Sequence, residues 1–231
     1  MYNYAPNSSA PKSLYAVTYD LPTDTWTYRA GVGIDIECCL RSAAAAATNG
    51  KIYLLGSSWT SGPVTLEYDP SADAWRTRAT IPLAPFGVQW GLSWVGATNG
   101  KLYALGGIDA TYAGQPRNQI YDQVTNAWPS GAPIPFANLA TSAAAAADGK
   151  INLVGGPWTN NNGIGNNDWA ETYDPASDAW DYPPPVLSGG ESPLVVANGL
   201  ALYVLGGDLN VGPSPWGEEA TIPAANRSAP H

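Results

Sequence analysis

Asn99-Gly100-Lys101-Leu102-Tyr103-Ala104-Leu105-Gly106-Gly107 is the stretch from which the fold can be read. It opens on an Asn-Gly pair, a strong hairpin signal. An apolar run follows and ends at Gly-Gly, where a backbone without Cβ tolerates positive φ and close approach. The same pattern stands at Asn49-Gly50-Lys51 before residues 52–57 and at Asp148-Gly149-Lys150 before 151–156. It returns without the Lys at Asn198-Gly199 before 202–207. The steps between copies are 50, 49 and 50 residues. A fixed period of this size reports one supersecondary unit built several times over.

A second signature runs in the same period. A Tyr-Asp or equivalent pair is followed by a Trp seven residues after the Tyr: Tyr19/Trp26, Tyr68/Trp75, Tyr121/Trp128 and Tyr173/Trp180. An Asp or Asn two residues before each Trp marks a tight turn. Small-residue runs precede each Asn-Gly or Asp-Gly, at 43–47, 95–98, 143–147 and 194–197. Alanine favours helix, but five residues ending at a Gly turn are too few for one. Each unit therefore reads as four short strands, with the small residues on a crowded inner strand. The eight signature Tyr and Trp residues read as structural, with the four Trp rings buried.

The period near 50, the Gly-Gly, the Tyr-Asp and the spaced Trp together resemble the kelch repeat, over residues 13–207. The resemblance implies an all-β kelch-type propeller of four-stranded blades. Residues 1–12 are then an extension and 208–231 a loop and tail. The chain opens on a Tyr-Asp/Trp half-unit and ends on a small-strand/Gly-Gly half-unit. The favoured reading joins these halves into one blade across the termini, giving four blades. The alternative makes residues 218–228 a decayed third strand and the chain a partial or five-bladed propeller fragment. An open arc would leave strand edges free to pair with another copy, so an oligomer follows from that alternative.

Composition narrows the chemistry. The 231 residues carry a formal net charge of -9, which argues against phosphate backbones and nucleic acid. No apolar run approaches the roughly 18–20 residues of a membrane span. Residues 1–15 lack the basic start and apolar stretch of a signal peptide. Two Cys exclude a disulfide scaffold and a four-thiolate zinc site. The single His is His231, which leaves no internal His for catalysis or metal binding. The copper-oxidase members of the resembled superfamily need His ligands. No metal and no cofactor is expected. Low Lys, abundant Trp and Asn and an acidic surface lean towards an extracellular or periplasmic setting.

The resemblance implies that two sets of loops share one face around the central channel. The connections between strands two and three are 57–64, 108–118, 157–169 and 208–217. Those between blades are 31–41, 82–91, 133–141 and 183–192. Trp59, Tyr112, Trp158, Trp169 and Trp216 lie in the first set, and Phe86, Trp90 and Phe136 in the second. None belongs to the repeat signature. Aromatic faces with Asn, Gln and Arg117 beside them suit a ligand that has apolar CH patches and hydroxyls. The leading reading is a non-catalytic binding propeller for carbohydrate or a glycosylated surface, with a protein segment second. The alternatives are a sugar-active hydrolase or isomerase using Asp35, Glu37 or Asp168, and a self-assembling structural subunit. Paired carboxylates can hydrolyse glycosides when their spatial separation is right. The Asn-rich segment 160–168 offers oxygens to a hard cation but has one carboxylate, and it reads as a polar loop. Adjacent Cys38 and Cys39 read as two packed thiols or as a strained vicinal disulfide lining the ligand face.

Overall fold

A computed structural model describes residues 14–32, 43–46, 49–58, 62–82, 92–96, 99–107, 114–135, 142–155, 157–160, 163–166, 170–182, 193–205 and 217–221. Every regular element among them is a strand. The first sheet pairs β1 (Leu14–Asp20) with β2 (Thr25–Val32). The second orders β3 (Ala43–Ala46), β4 (Ile52–Ser58), β5 (Gly62–Asp69) and β6 (Ala74–Arg78). The third holds β7 (Leu92–Gly96), β8 (Leu102–Gly106) and β9 (Asn118–Tyr121), and isolated bridges Gln119–Ser130 and Asp122–Ala127 stand where a fourth strand would run. The fourth orders β10 (Ser142–Ala145), β11 (Ile151–Val154), β14 (Ala170–Asp174) and β15 (Ala179–Asp181). Between β11 and β14 rises a separate hairpin, β12 (Pro157–Asn160) with β13 (Gly163–Asn166). The fifth sheet holds β16 (Leu194–Asn198), β17 (Ala201–Leu205) and β18 (Gly217–Thr221). All pairings within these sheets are antiparallel.

The core lies between sheets. Tyr53 and Leu55 of the second sheet pack with Leu102, Ala104, Tyr121, Trp128 and Ile81. Tyr103, Leu105 and Ile134 pack with Ile151, Leu153 and Tyr173 of the fourth. Val154 and Ala170 meet Val195, Leu202 and Val204 of the fifth. A central blade is thus covered on both faces, which is why β8 reads as a continuous apolar run and all five of its residues are buried. Strand β17 alternates instead: Leu202 and Val204 are buried and Leu205 is exposed.

The repeat signature becomes a joint between blades. Asp73, Asn126 and Asp178 sit in left-handed backbone at φ 47°, 51° and 51°. Asp and Asn tolerate that region better than other side-chain-bearing residues. Each accepts a hydrogen bond from its own blade's tyrosine: Tyr68 Oη at 2.6 Å, Tyr121 Oη at 2.8 Å and Tyr173 Oη at 2.6 Å. Each also accepts the backbone N–H of an alanine from the preceding unit: Ala30 at 2.9 Å, Ala79 at 2.9 Å and Ala132 at 2.7 Å. The signature Trp completes the grip. Trp75, Trp128 and Trp180 donate their indole N–H, each at 2.8 Å, to the carbonyls of those same three alanines. The backbone N–H and carbonyl of one neighbouring alanine are therefore both paired by a single blade. Burial pushes the Tyr121 phenol up to about 12, so it stays protonated and donating.

Two expectations are corrected. The end half-units do not complete one blade, because the edge of β17 that β1 would need is taken by β18. The alternative placed a decayed third strand at 218–228; the strand observed in the third position is Gly217–Thr221. The four signature Trp rings are also not equally buried. Trp128 is 8% exposed, Trp75 and Trp180 are half-buried, and Trp26 is 70% exposed. The first unit builds the same tyrosine–aspartate–tryptophan group. Tyr19 donates to Asp24, Asp24 has φ 52°, and the Tyr19 and Trp26 rings stand 4.8 Å apart. What it lacks, among the described residues, is a preceding blade to cover the ring.

Candidate functional site

The loop-rich face is anchored by turns that the strands themselves fix. Gly106 and Gly107 close β8 at φ 69° and 91°. Gly106 N–H donates to the Arg117 carbonyl at 2.9 Å, and Gln115 N–H donates to the Gly107 carbonyl at 2.9 Å. The long connection from β8 to β9 is thus tied down at both ends. Ile134 N–H reaches the Pro116 carbonyl at 3.1 Å and joins this connection to the one leading into the fourth blade. At the opposite turns Asn49, Asn99 and Asp148 each accept the backbone N–H of the following Lys at 3.1 Å. Those lysines pair with the aspartates of β5, the third sheet and β14: Lys51–Asp69 at 2.6 Å, Lys101–Asp122 at 3.6 Å and Lys150–Asp174 at 3.7 Å.

The connections differ greatly in construction. In the second blade, β4 runs to Ser58 and β5 begins at Gly62, so the expected loop 57–64 shrinks to three residues. In the fourth blade the corresponding connection contains the β12–β13 hairpin. Its register places Trp158 opposite Gly165 and Thr159 opposite Ile164. The connection 157–169, with 160–168 expected as a polar loop, is in part a second, separate sheet. Pro157 stands at the first position of its strand, where a missing N–H costs nothing in the ladder.

Arg117 is half-buried, and its two terminal guanidinium nitrogens are closed off from solvent. Trp158 lies on β12. The remaining candidates, Trp59, Phe86, Trp90, Tyr112, Phe136, Trp169, Trp216, Asp35, Glu37 and Asp168, lie outside the described residues, as do Cys38 and Cys39. Among the described residues no three metal-ligating side chains gather, and no helix is long and apolar enough to cross a membrane.

Sequence reasoning missed one charged centre. Glu67 on β5 is fully buried. It accepts the Tyr53 hydroxyl at 2.8 Å and Arg78 Nε at 2.6 Å, with Lys51 Nζ 3.4 Å away. Burial pushes its carboxyl up, but the bonds from Tyr53 and Arg78 and the two cations outweigh that, and the net shift is downward. Its signal was a Glu inside an otherwise apolar-alternating strand, Val64-Thr65-Leu66-Glu67-Tyr68, with Arg78 across the register at Thr65. The group is an internal ion pair of the blade.

No family model matches the chain. Beta-scruin of Limulus polyphemus is 27% identical over 82% of this chain and 21% of its own length. Human Kelch repeat and BTB domain-containing protein 12 is 27% identical over 63% of this chain and 26% of its own length. Galactose oxidase of Gibberella zeae is 27% identical over 76% and 25%. The chain spans about a fifth to a quarter of the length of these relatives. Among solved structures, that of YjhT superposes with a TM-score of 0.59 at 17% identity, covering 83% of this chain and 68% of YjhT, a kelch-type propeller. By its repeats, its blade-like sheets and these relatives together, the chain has the kelch-repeat β-propeller fold.

Proposed function

We propose that this chain is a non-catalytic binding propeller whose loop-rich face takes a partner, carbohydrate or a glycosylated surface first and a protein segment second. The β12–β13 hairpin is the observation that carries the reading. One blade crosses from strand two to strand three with three residues, and another raises an extra sheet at the same crossing. A blade does not need that sheet for its own hydrogen bonds. Rigid scaffolds commonly carry binding residues on such elaborated connections. The hairpin bears Trp158 and Asn166, and Asn167 and Asp168 follow it in sequence. The likeness to a galactose oxidase adds support for a sugar as the ligand class. Oxidase chemistry is disfavoured because the chain has one His, His231. An extracellular or periplasmic setting accords with such a ligand.

A glycan-panel titration followed by tryptophan fluorescence tests the proposal. The expected result is a saturable signal that Trp158→Ala weakens at least about tenfold, with an unchanged melting curve. Silence across the panel removes carbohydrate and leaves the protein partner. A ligand signal indifferent to Trp158→Ala removes the hairpin from the site.

A further inference from the structure

Three of the repeat turns are Asn-Gly pairs, Asn49-Gly50, Asn99-Gly100 and Asn198-Gly199, and the fourth is Asp148-Gly149. A further pair, Asn162-Gly163, belongs to the β12–β13 connection, with Asn162 outside the described residues. An asparagine followed by glycine is open to loss of its side-chain amide, because no Cβ shields the next backbone nitrogen. The fold treats the three turn asparagines differently.

Asn49 and Asn99 are held at both atoms of the amide. Each Oδ1 accepts the N–H of the Lys two residues on, at 3.1 Å. Each Nδ2 donates to the tyrosine four residues on, Asn49 to Tyr53 Oη at 3.1 Å and Asn99 to Tyr103 Oη at 2.8 Å. Asn49 Nδ2 donates to Gln123 Oε1 of the next blade as well. Both tyrosine rings are buried, so the hydroxyls that hold the amides are themselves fixed.

The turn at Asn198 is built otherwise. Strands β16 and β17 pair as far as Asn198 and Ala201, which leaves Gly199 and Leu200 as a two-residue loop. The corresponding tyrosine, Tyr203, stands five residues on rather than four. The Asn198 side chain is exposed and has no hydrogen-bond partner among the described residues. The Gly199 nitrogen lies beyond the last pair of the ladder. Gly199 has φ 64°, and a Cβ there would meet nothing within 4 Å, so the turn is open on that side. In the Asp148 turn the glycine nitrogen is engaged instead: Gly149 N–H donates to the Ala146 carbonyl at 3.0 Å.

We propose that Asn198-Gly199 is a site of spontaneous deamidation in the folded chain, and that the tyrosine-held amides protect Asn49 and Asn99. The Gly199 nitrogen attacks Asn198 Cγ, the new C–N bond closes a succinimide ring, and the side-chain nitrogen leaves as ammonia with the glycine's proton. Solvent water then opens the ring at either carbonyl, to aspartate or to isoaspartate. At Asn49 and Asn99 the same attack has first to break the bonds at Oδ1 and Nδ2. The product carries one more negative charge than the formal -9 of the chain. Aspartate is at home in a repeat turn, since Asp148 accepts the Lys150 N–H at 3.1 Å as the two held asparagines accept theirs. Isoaspartate is not, because it adds a carbon to the main chain at the pair that closes the β16–β17 hairpin.

Incubation of the intact chain at mildly alkaline pH, folded and in guanidinium chloride, followed by peptide mapping with tandem mass spectrometry, tests this. In the folded chain Asn198 is expected to convert at least about tenfold faster than Asn49 and Asn99, and in the unfolded chain the three are expected to converge. Tyr103→Phe keeps the ring and removes the hydroxyl, so it should raise the rate at Asn99 and leave that at Asn198 unchanged. If that variant fails to fold by circular dichroism, the folded and unfolded wild-type rates decide. Equal conversion at the three turns of the folded chain overturns the proposal, and so does an Asn198 that converts only when unfolded. A lead of Asn198 that persists undiminished in guanidinium chloride, or a folded Tyr103→Phe with Asn99 unchanged, overturns the protection.

Discussion

Asp178 shows how much one side chain does here. It accepts the Tyr173 hydroxyl and the Ala132 N–H, and these two bonds hold its carboxyl below the usual range. Asp73 is held low in the same way by Ala30 N–H and Tyr68. A depressed native value gives stability that is present above the unfolded value, about 3.9, and is lost as pH falls through the native value. Urea midpoints measured from pH 6 to pH 2 are expected to hold steady to about pH 4 and then fall. Asp178→Asn should remove part of that acid dependence while keeping the joint, because Asn126 already serves as a natural amide version. The Trp residues divide by burial. Trp128→Ala is expected to cost about 3–5 kcal/mol in a urea titration. Trp26→Ala, measured on dilute chain, should cost under about 1 kcal/mol. Gly131 has no room for a side chain: an added Cβ would stand 2.7 Å from both Asn118 Nδ2 and Tyr173 Oη. Gly131→Ala should therefore lower the urea midpoint. At Gly50, with φ 75° and nothing within 4 Å, Ala meets only backbone strain.

Among the elements, β5 carries the buried carboxylate of an ion pair, Glu67 with Arg78. Removing one partner of a buried pair leaves a charge without its counterion, at about 3–5 kcal/mol. Glu67→Ala is expected in that range, and Glu67→Leu combined with Arg78→Met should be markedly milder. Equal losses from both would show that packing, not charge, sets the cost. The strands of the repeat were legible because three signals agreed at a constant spacing: Gly at positive φ, the apolar run and the Tyr–Trp step. The 43–46 and 142–145 strands could be told from helix by length alone, against the propensity of their alanines. The β12–β13 hairpin was not seen. Asn161-Asn162-Gly163 is a turn signal between two short runs, but a Pro start and four glycines and asparagines in a row read as solvated loop. The closing-off of the Arg117 guanidinium was equally out of reach, since burial of a charge depends on partners from distant segments.

For the whole molecule, the core clusters among the described residues join each sheet to its sequence neighbours, so stability is close to a sum of blades and joints. Hydrogen exchange should then be slowest in β8 and β11, covered on both faces, and fastest in β1, β2 and β16. A uniform rate across all sheets would contradict this picture. Blade order was legible from the spacing. Blade closure was not, because the pairing of β17 with β18 rather than with β1 joins positions no local motif links. The joints themselves carry a historical consequence. Each takes its neighbour by the N–H and carbonyl of a single alanine, with no demand on any longer side chain. A gene segment encoding one such unit can be duplicated, deleted or exchanged, and the product still meets a neighbour it recognises. Copy number can drift while the grammar between copies is kept.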